Sequence, residues 1–265
     1  MKVGIIAGSG RLPFILAQEI KKLGKEIVCI GITKDPEENL KSLVSEFHHI
    51  SIGRVKKIIK TLKESNVSET VIIGKVSKKL LFKPMQFDTS AIRILSKLKN
   101  KSDLSLFKAI ADEFESNELN LIDQRTYLGC LLPSKGVLTK REPSKSEWQD
   151  IEYGMSMAKE IAKLGIGQTV VVKEQAVIAV EAIDGTDETI RRAGKLCDGG
   201  FVVTKASTPN QDFRFDVPTI GPDTIDVLID SKASVIAIEY GKSFLIEPEL
   251  SIQKANEAKI IIAVV

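Results

Sequence analysis

The chain opens on a compact apolar run, Lys2–Ala7, that breaks at Gly8-Ser9-Gly10. Apolar residues then recur at helical spacing: Leu12, Ile15, Leu16, Ile20 and Leu23. The pattern predicts a buried strand, a tight turn and an amphipathic helix stopped by Gly24. A second strand rich in β-branched residues is expected over 26–32, then a polar, partly helical stretch over 36–47 and a short strand over 49–52. Val55, Ile58, Ile59 and Leu62 mark another helix, and 70–73 a further strand that ends at Gly74-Lys75. Strands alternating with helices predict a mostly parallel sheet covered by helices, an α/β unit of Rossmann-like type.

Over 78–117 the signal is helical and basic. Ile92, Leu95 and Leu98, then Leu104, Phe107, Ile110 and Phe114, form two apolar stripes, with Asp103 placed to begin the second. Residues 119–122 are expected as a strand. The stretch 132–143, LPSKGVLTKREP, has little periodicity and reads as a linker or a crossing strand. Beyond it come a long helix over 145–164, β-rich runs over 169–173 and 176–181 split by a turn at Glu174-Gln175, and a helix over 188–196. A strand over 201–205, a polar loop over 206–214, a helix over 222–231, strands over 235–238 and 243–246, a helix over 248–258 and a last strand complete the pattern. The expected organisation is a Rossmann-like N-terminal domain (1–132), a linker (133–143) and a second α/β domain with a mixed sheet (144–265).

Composition narrows the chemistry. At 265 residues the chain is too long for one small core and suits two domains or one large α/β domain. Its formal charge is only +3, basic and acidic residues are interspersed, and aromatics make up 5%, which argues against a nucleic-acid partner. Cys29, Cys130 and Cys197 lie far apart with no CxxC, so no disulfide framework or zinc knuckle is signalled and a reducing cytoplasm is expected. His48 and His49 are the only histidines, and on a strand they point to opposite faces. That argues against a histidine metal cage or a Ser-His-Asp triad. Catalysis is left to carboxylates, lysines, hydroxyls or backbone amides. Arg11 and Pro13 interrupt the N-terminal apolar run before a signal-peptide cleavage site can be placed, and no run approaches the roughly 18–20 apolar residues of a spanning helix.

Four places carry candidate chemistry. Gly8, Ser9 and Gly10 close a strand and open a helix, where unhindered amides can hold an anion; the plainer reading is a tight turn. A dinucleotide fingerprint asks for a third glycine where Pro13 stands and an acid where Thr33 stands, with Asp35 two residues late. Gly74 and Lys75 fall at the same sheet edge, where the lysine either pairs with a phosphate or is simply solvated. Gln168 precedes a strand, and Glu181, Asp184 and Asp187 place three carboxylates within seven residues. Such a set could hold Mg²⁺; a turn with acids at a helix N-terminus is the favoured explanation. The run 204–221, TKASTPNQDFRFDVPTIG, crowds Lys205, Gln211, Asp212, Arg214 and Asp216 around one loop. Pro218 favours an extended context for Asp216, and a carboxylate there is costly to bury unless paired. A simple ion pair of Arg214 with Asp216, two residues apart on one face, competes with a functional loop.

Taken together, GIIAGSGRLP, LGIGQTVVV, AVEAIDGTD and KASTPNQDFRFDVPTIG resemble, in order and over nearly the whole chain, the UDP-2,3-diacylglucosamine pyrophosphatases of lipid A biosynthesis, the LpxI family. The resemblance implies two domains with the active site between them. It implies hydrolysis of UDP-2,3-diacylglucosamine to UMP and 2,3-diacylglucosamine 1-phosphate (lipid X) by water attack on the α-phosphorus, with Mg²⁺ or another divalent cation. It puts the essential aspartate on Asp216, as metal ligand or as general base. Substrate contacts are expected at Gly8, Ser9, Gly10, Gly74, Lys75, Gln168, Thr186, Asp187, Lys205, Gln211 and Arg214, with Lys205 and Arg214 as phosphate clamps. A homodimer, a cytoplasmic or peripheral inner-membrane location and transient membrane contact are further expectations. The competing readings are a nicotinamide-dependent oxidoreductase and a non-catalytic nucleotide-sugar binding protein.

Overall fold

A computed structural model describes residues 1–33, 38–76, 87–96, 98 and 103–265. Asp35 and parts of the helical stretch 78–117 therefore lie outside the described residues. The chain divides into two compact units, one of Met1–Gly129 with Asp212–Asp216, the other of Cys130–Gln211 with Val217–Val265. Asp216, expected in the second domain, thus groups with the first.

The first unit runs β1 (Lys2–Ala7), α1 (Leu12–Lys22), β2 (Glu26–Gly31), β3 (Glu46–His49), α2 (Val55–Glu64), β4 (Val67–Ile73), α3 (Thr89–Ser96), α4 (Asp103–Glu115) and α5 (Arg125–Leu128). Its four strands are all parallel, in the order β3-β2-β1-β4. Continuous burial along β1 and β2 explains their unbroken apolar sequence. Ile6 and Ile30 of the sheet pack with Ile58, Ile59 and Leu62 of α2 and Phe114 of α4, so the apolar stripe read from the sequence is the stripe that is buried.

Two expected strands differ. The one predicted over 49–52 is β3, because Glu46 to His49 take the register opposite Val28 to Gly31 and the chain turns away after Ile50. The one predicted over 119–122 is a single bridge, Leu121 with Thr70, too short to be a strand.

The second unit contains β5 (Gly136–Val137), α6 (Lys145–Lys163), β6 (Thr169–Lys173), β7 (Ala176–Val180), α7 (Thr186–Leu196), β8 (Val202–Lys205), β9 (Thr219–Ile220), α8 (Pro222–Asp230), β10 (Val235–Ile238), β11 (Phe244–Leu245), α9 (Pro248–Glu257) and β12 (Ile261–Val264). A six-stranded sheet has the order β5-β12-β10-β8-β6-β7; β8, β10 and β12 are parallel, and β5, β6 and β7 run antiparallel to their neighbours. A separate parallel pair joins β9 to β11.

Helix α6 covers one face of the large sheet through Ile151, Met155 and Ala158. Residues of α7, α8 and α9 cover the other, among them Ile190, Ile225 and Ala255. Ser144 caps α6 in a reciprocal capping box with Glu147. The hairpin turn at Glu174 and Gln175 has positive φ at both residues, as its two-residue length demands. The stretch 133–143 is not a free linker: β5 pairs with β12, and Leu138 donates to the Ile262 carbonyl. No helix among the described residues is long and apolar enough to cross a membrane.

Candidate functional site

In the second unit Gln168, Thr186 and Lys205 come together at the carboxyl end of β8, the end of the parallel strands where ligands bind in open α/β sheets. Lys205 is the last residue of β8 and pairs in register with Thr169, the first of β6. Its side chain, 7% exposed, donates to the Thr186 hydroxyl at 2.6 Å. Thr186 opens α7 and donates in turn to Glu181 Oε1 at 3.2 Å, while Glu181 Oε2 accepts from the Gln168 amide at 3.3 Å. Gly167 makes this approach possible, because a Cβ there would fall 2.2 Å from the Glu181 carbonyl oxygen. Among the described residues no carboxylate lies within ion-pair distance of Lys205; its hydrogen-bond partner is a neutral hydroxyl. A desolvated ammonium without a counter-ion is costly, and the free N–H groups at the start of α7 add positive potential. The arrangement is chemically suited to an anion.

Asp187 lies in the first turn of α7, which begins two residues earlier than predicted. The three-carboxylate set is not a metal site: Glu181 is bound as above, and Asp184 pairs with Arg192 at 2.8 Å and caps the Ala182 amide. Backbone and ion-pair hydrogen bonds hold the Asp184 carboxyl below its usual range. Among the described residues no group of three potential ligands is present.

The loop after β8 is fastened by a residue that the sequence reading did not select. Glu239, immediately after β10 and 8% exposed, accepts from both the amide (3.0 Å) and the hydroxyl (2.6 Å) of Ser207 and from Lys242 (2.8 Å). Burial would raise its pKa, but the hydrogen bonds of Lys242 and Ser207 outweigh it and hold the carboxyl low. A glutamate ending the apolar run VIAI is the signal that would have found it. Further along, Gln211 Oε1 accepts from the amide and hydroxyl of Thr208, which closes the loop on itself.

In the first unit the glycine turns pack backbone against backbone. The Gly8 amide donates to Ile73 O at 2.8 Å, and Ser9 and Lys75 exchange amide bonds of 2.9 and 2.8 Å. The amides of Gly8 and Ser9 are therefore committed to the β4 turn, which corrects the expectation that they are open to an anion. Gly74 has φ +97°, and a Cβ there would meet the Gly8 carbonyl carbon at 2.9 Å and Pro13 at 3.0 Å. Gly10 also has positive φ, and Lys75 is exposed.

Residues 212–216 form a turn, not the extended run expected: the amides of Phe215 and Asp216 both donate to the Asp212 carbonyl. This changes the ion pairing. Arg214 bonds Asp212 through two nitrogens, at 2.9 and 2.8 Å, and Glu115 at 3.0 Å, so the carboxylates it pairs with are these and not the Asp216 of the alternative ion-pair reading. The Arg214 guanidinium lowers the Asp212 carboxyl and is itself raised by the pairing.

Phe215 stacks on Phe107 with ring centroids 4.8 Å apart and enters the cluster that contains Ile6 and Ile32. Gln124 donates its backbone amide to Phe213 O and its side chain to Ile72 O, and Arg125 covers the Phe213 ring at 3.6 Å. These anchors come from residues about a hundred positions away in sequence, so no local pattern announced them. Asp216 ends the turn half-buried. Mg²⁺ is commonly held by one or two carboxylates with substrate phosphates and water completing its shell, and a single half-buried carboxylate such as Asp216 fits that need.

Comparison with known proteins places the chain. Residues 2–131 match the LpxI N-terminal domain and residues 134–263 the LpxI C-terminal domain. A relative from Caulobacter vibrioides named UDP-2,3-diacylglucosamine pyrophosphatase LpxI is 30% identical over 267 residues, which cover 97% of this chain and 94% of that protein. Among solved structures, N5-carboxyaminoimidazole ribonucleotide synthetase from Thermotoga maritima is 16% identical with a TM-score of 0.26, covering 68% of this chain and 40% of that one. Phosphoribosylglycinamide synthetase from Anaerococcus prevotii is 14% identical with a TM-score of 0.27, covering 71% and 42%. The chain spans under half the length of these synthetases, and likeness at that level carries no argument. Both halves of the sequence match in their proper order, and the chain belongs to the LpxI family.

Proposed function

We propose that this protein hydrolyses UDP-2,3-diacylglucosamine to UMP and 2,3-diacylglucosamine 1-phosphate, a step of lipid A biosynthesis, in the cytoplasm. The observation that carries the reading is the LpxI match over both halves, together with the pyrophosphatase name of the relative that aligns end to end. The first unit is read as Rossmann-like from its all-parallel β3-β2-β1-β4 order.

The chemistry of the residues supports the assignment. Diphosphate cleavage needs charge neutralisation on the phosphates and an oriented water. Lys205 supplies a buried cation that gains from a phosphate oxygen as its counter-charge. Thr186 and Glu181 fix the direction of that ammonium, and the start of α7 adds amide donors. Arg214 is already paired with both Asp212 and Glu115, so its part is to hold the turn that ends at Asp216. The Asp216 carboxylate orients the attacking water by accepting its proton, and it is the residue that would hold a divalent cation. A bound Mg²⁺ would neutralise phosphate charge and acidify water.

The test is incubation with the lipid nucleotide in Mg²⁺ and, separately, in EDTA. UMP is expected in the first and not in the second. In ¹⁸O-water the label is expected in UMP, as attack at the α-phosphorus requires. Binding without any UMP release would favour the nucleotide-sugar binding protein instead.

A further inference from the structure

We propose that the solvent face of α2, with Ile92 of the adjoining α3, is the surface by which this protein meets an anionic phospholipid bilayer. The inference rests on the reading that the substrate is a membrane-held lipid. Helix α2 carries Lys56, Lys57, Lys60 and Lys63 against one acid, Glu64, so ten residues hold as much net charge as the +3 of the whole chain. Arg54 precedes it directly. The apolar stripe of Ile58, Ile59 and Leu62 is buried, and the four lysines are exposed.

The fold does not require this row. Lys56 with Lys60 and Lys57 with Lys60 are like-charge neighbours on the helix surface, which weakens a helix by a few tenths of a kcal/mol per pair. Two of the lysines have counter-ions, both in exposed pairs: Lys60 with Glu64 at 3.5 Å and Lys63 with Glu118 at 3.6 Å. Such pairs contribute little.

One exposed aliphatic side chain stands on the helix tied to this charged one. Asp88 accepts from the Lys56 amide at 2.7 Å and the Ala91 amide at 3.0 Å, so one carboxylate caps the starts of both helices and ties them together. The next residue, Ile92, is 56% exposed. Arg54, Lys56, Lys57 and Lys60 rim a hollow of about 500 Å³ beside this shared cap.

Three of the four lysines rim the hollow, and Lys63 carries the positive charge further along a helix about 15 Å long. Spread positive charge beside an exposed aliphatic side chain matches a plane of anionic headgroups better than one small ligand. A single-stranded nucleic acid would call for stacking aromatics, and α2 has none.

The test uses the full chain and vesicles of phosphatidylcholine with phosphatidylglycerol, against vesicles of phosphatidylcholine alone. Sedimentation with the anionic vesicles is expected, and high salt should release the protein. The triple variant K56Q/K57Q/K60Q should lose about a hundredfold in partitioning, at about 1 kcal/mol per lysine near an anionic surface. Ile92→Ser should weaken it further. The triple variant should release UMP from detergent-dispersed substrate at the wild-type rate. Equal sedimentation by wild type and triple variant, or none by wild type, overturns the surface. Absence of UMP from both proteins while the vesicle difference persists would sink the hydrolase reading and leave the surface standing.

Discussion

The Lys205 ammonium lies 2.6 Å from the Thr186 hydroxyl, at the point where a buried strand end meets the start of a helix. A lysine so enclosed with only a hydroxyl partner is arranged for a charge that arrives with a ligand. Lys205→Met keeps the volume and removes the cation. We expect kcat/KM for UMP release to fall by about tenfold to a hundredfold, the range of a hydrogen bond to a charged group. The thermal midpoint should hold or rise, because an uncompensated buried charge is gone. An unchanged kcat/KM would remove Lys205 from the site.

Glu239 gives a pH signature. Its carboxyl is lower in the folded chain than in the unfolded one, where about 4.3 is usual, because the bonds of Lys242 and Ser207 outweigh burial. Its stabilising contribution is therefore complete above the unfolded value and disappears as pH falls through the folded one. Glu239→Gln should lower stability at neutral pH by about 1–3 kcal/mol. The gap between variant and wild type should close in acid. Melting curves across pH read this directly; a gap that stays constant down to pH 3 would contradict it.

The glycine contacts predict a purely structural loss. Gly74→Ala places a Cβ 2.9 Å from the Gly8 carbonyl carbon at φ +97°, and Gly8→Ala places one 2.6 Å from the Lys75 carbonyl oxygen. In both the obstacle is backbone. Each should cost about 2 kcal/mol or more, seen as a lower urea midpoint. Equal stability to wild type would mean the two turns are not in contact.

Much of the fold was legible because it is local. The apolar period of Leu12 to Leu23, the long helix over 145–164 and the turn at Glu174-Gln175 each follow from a few adjacent residues. The two-residue strands β5 and β9 were not, since each exists only through a partner far along the chain, β12 for one and β11 for the other. The candidate site divides the same way. Lys205 and Thr186 could be named from their motifs, but Glu239 needed the sheet to bring it to Ser207. The partners of Arg214 were not legible, because an extended chain would offer only Asp216, two residues on, as a same-face partner. The turn at 212–216 brings Asp212 to the guanidinium instead, and Glu115 arrives from α4.

Asp216 is the residue on which the hydrolytic reading depends. Asp216→Ala removes a half-buried side chain at the end of a turn held by Arg214, Phe215 and Gln124, so the variant should fold and still bind the lipid nucleotide. The most direct measurement is UMP release by wild type and Asp216→Ala in Mg²⁺ and ¹⁸O-water. The account predicts labelled UMP from the wild type and none above background from the variant at equal substrate binding. Labelled UMP from the variant at the wild-type rate would contradict it.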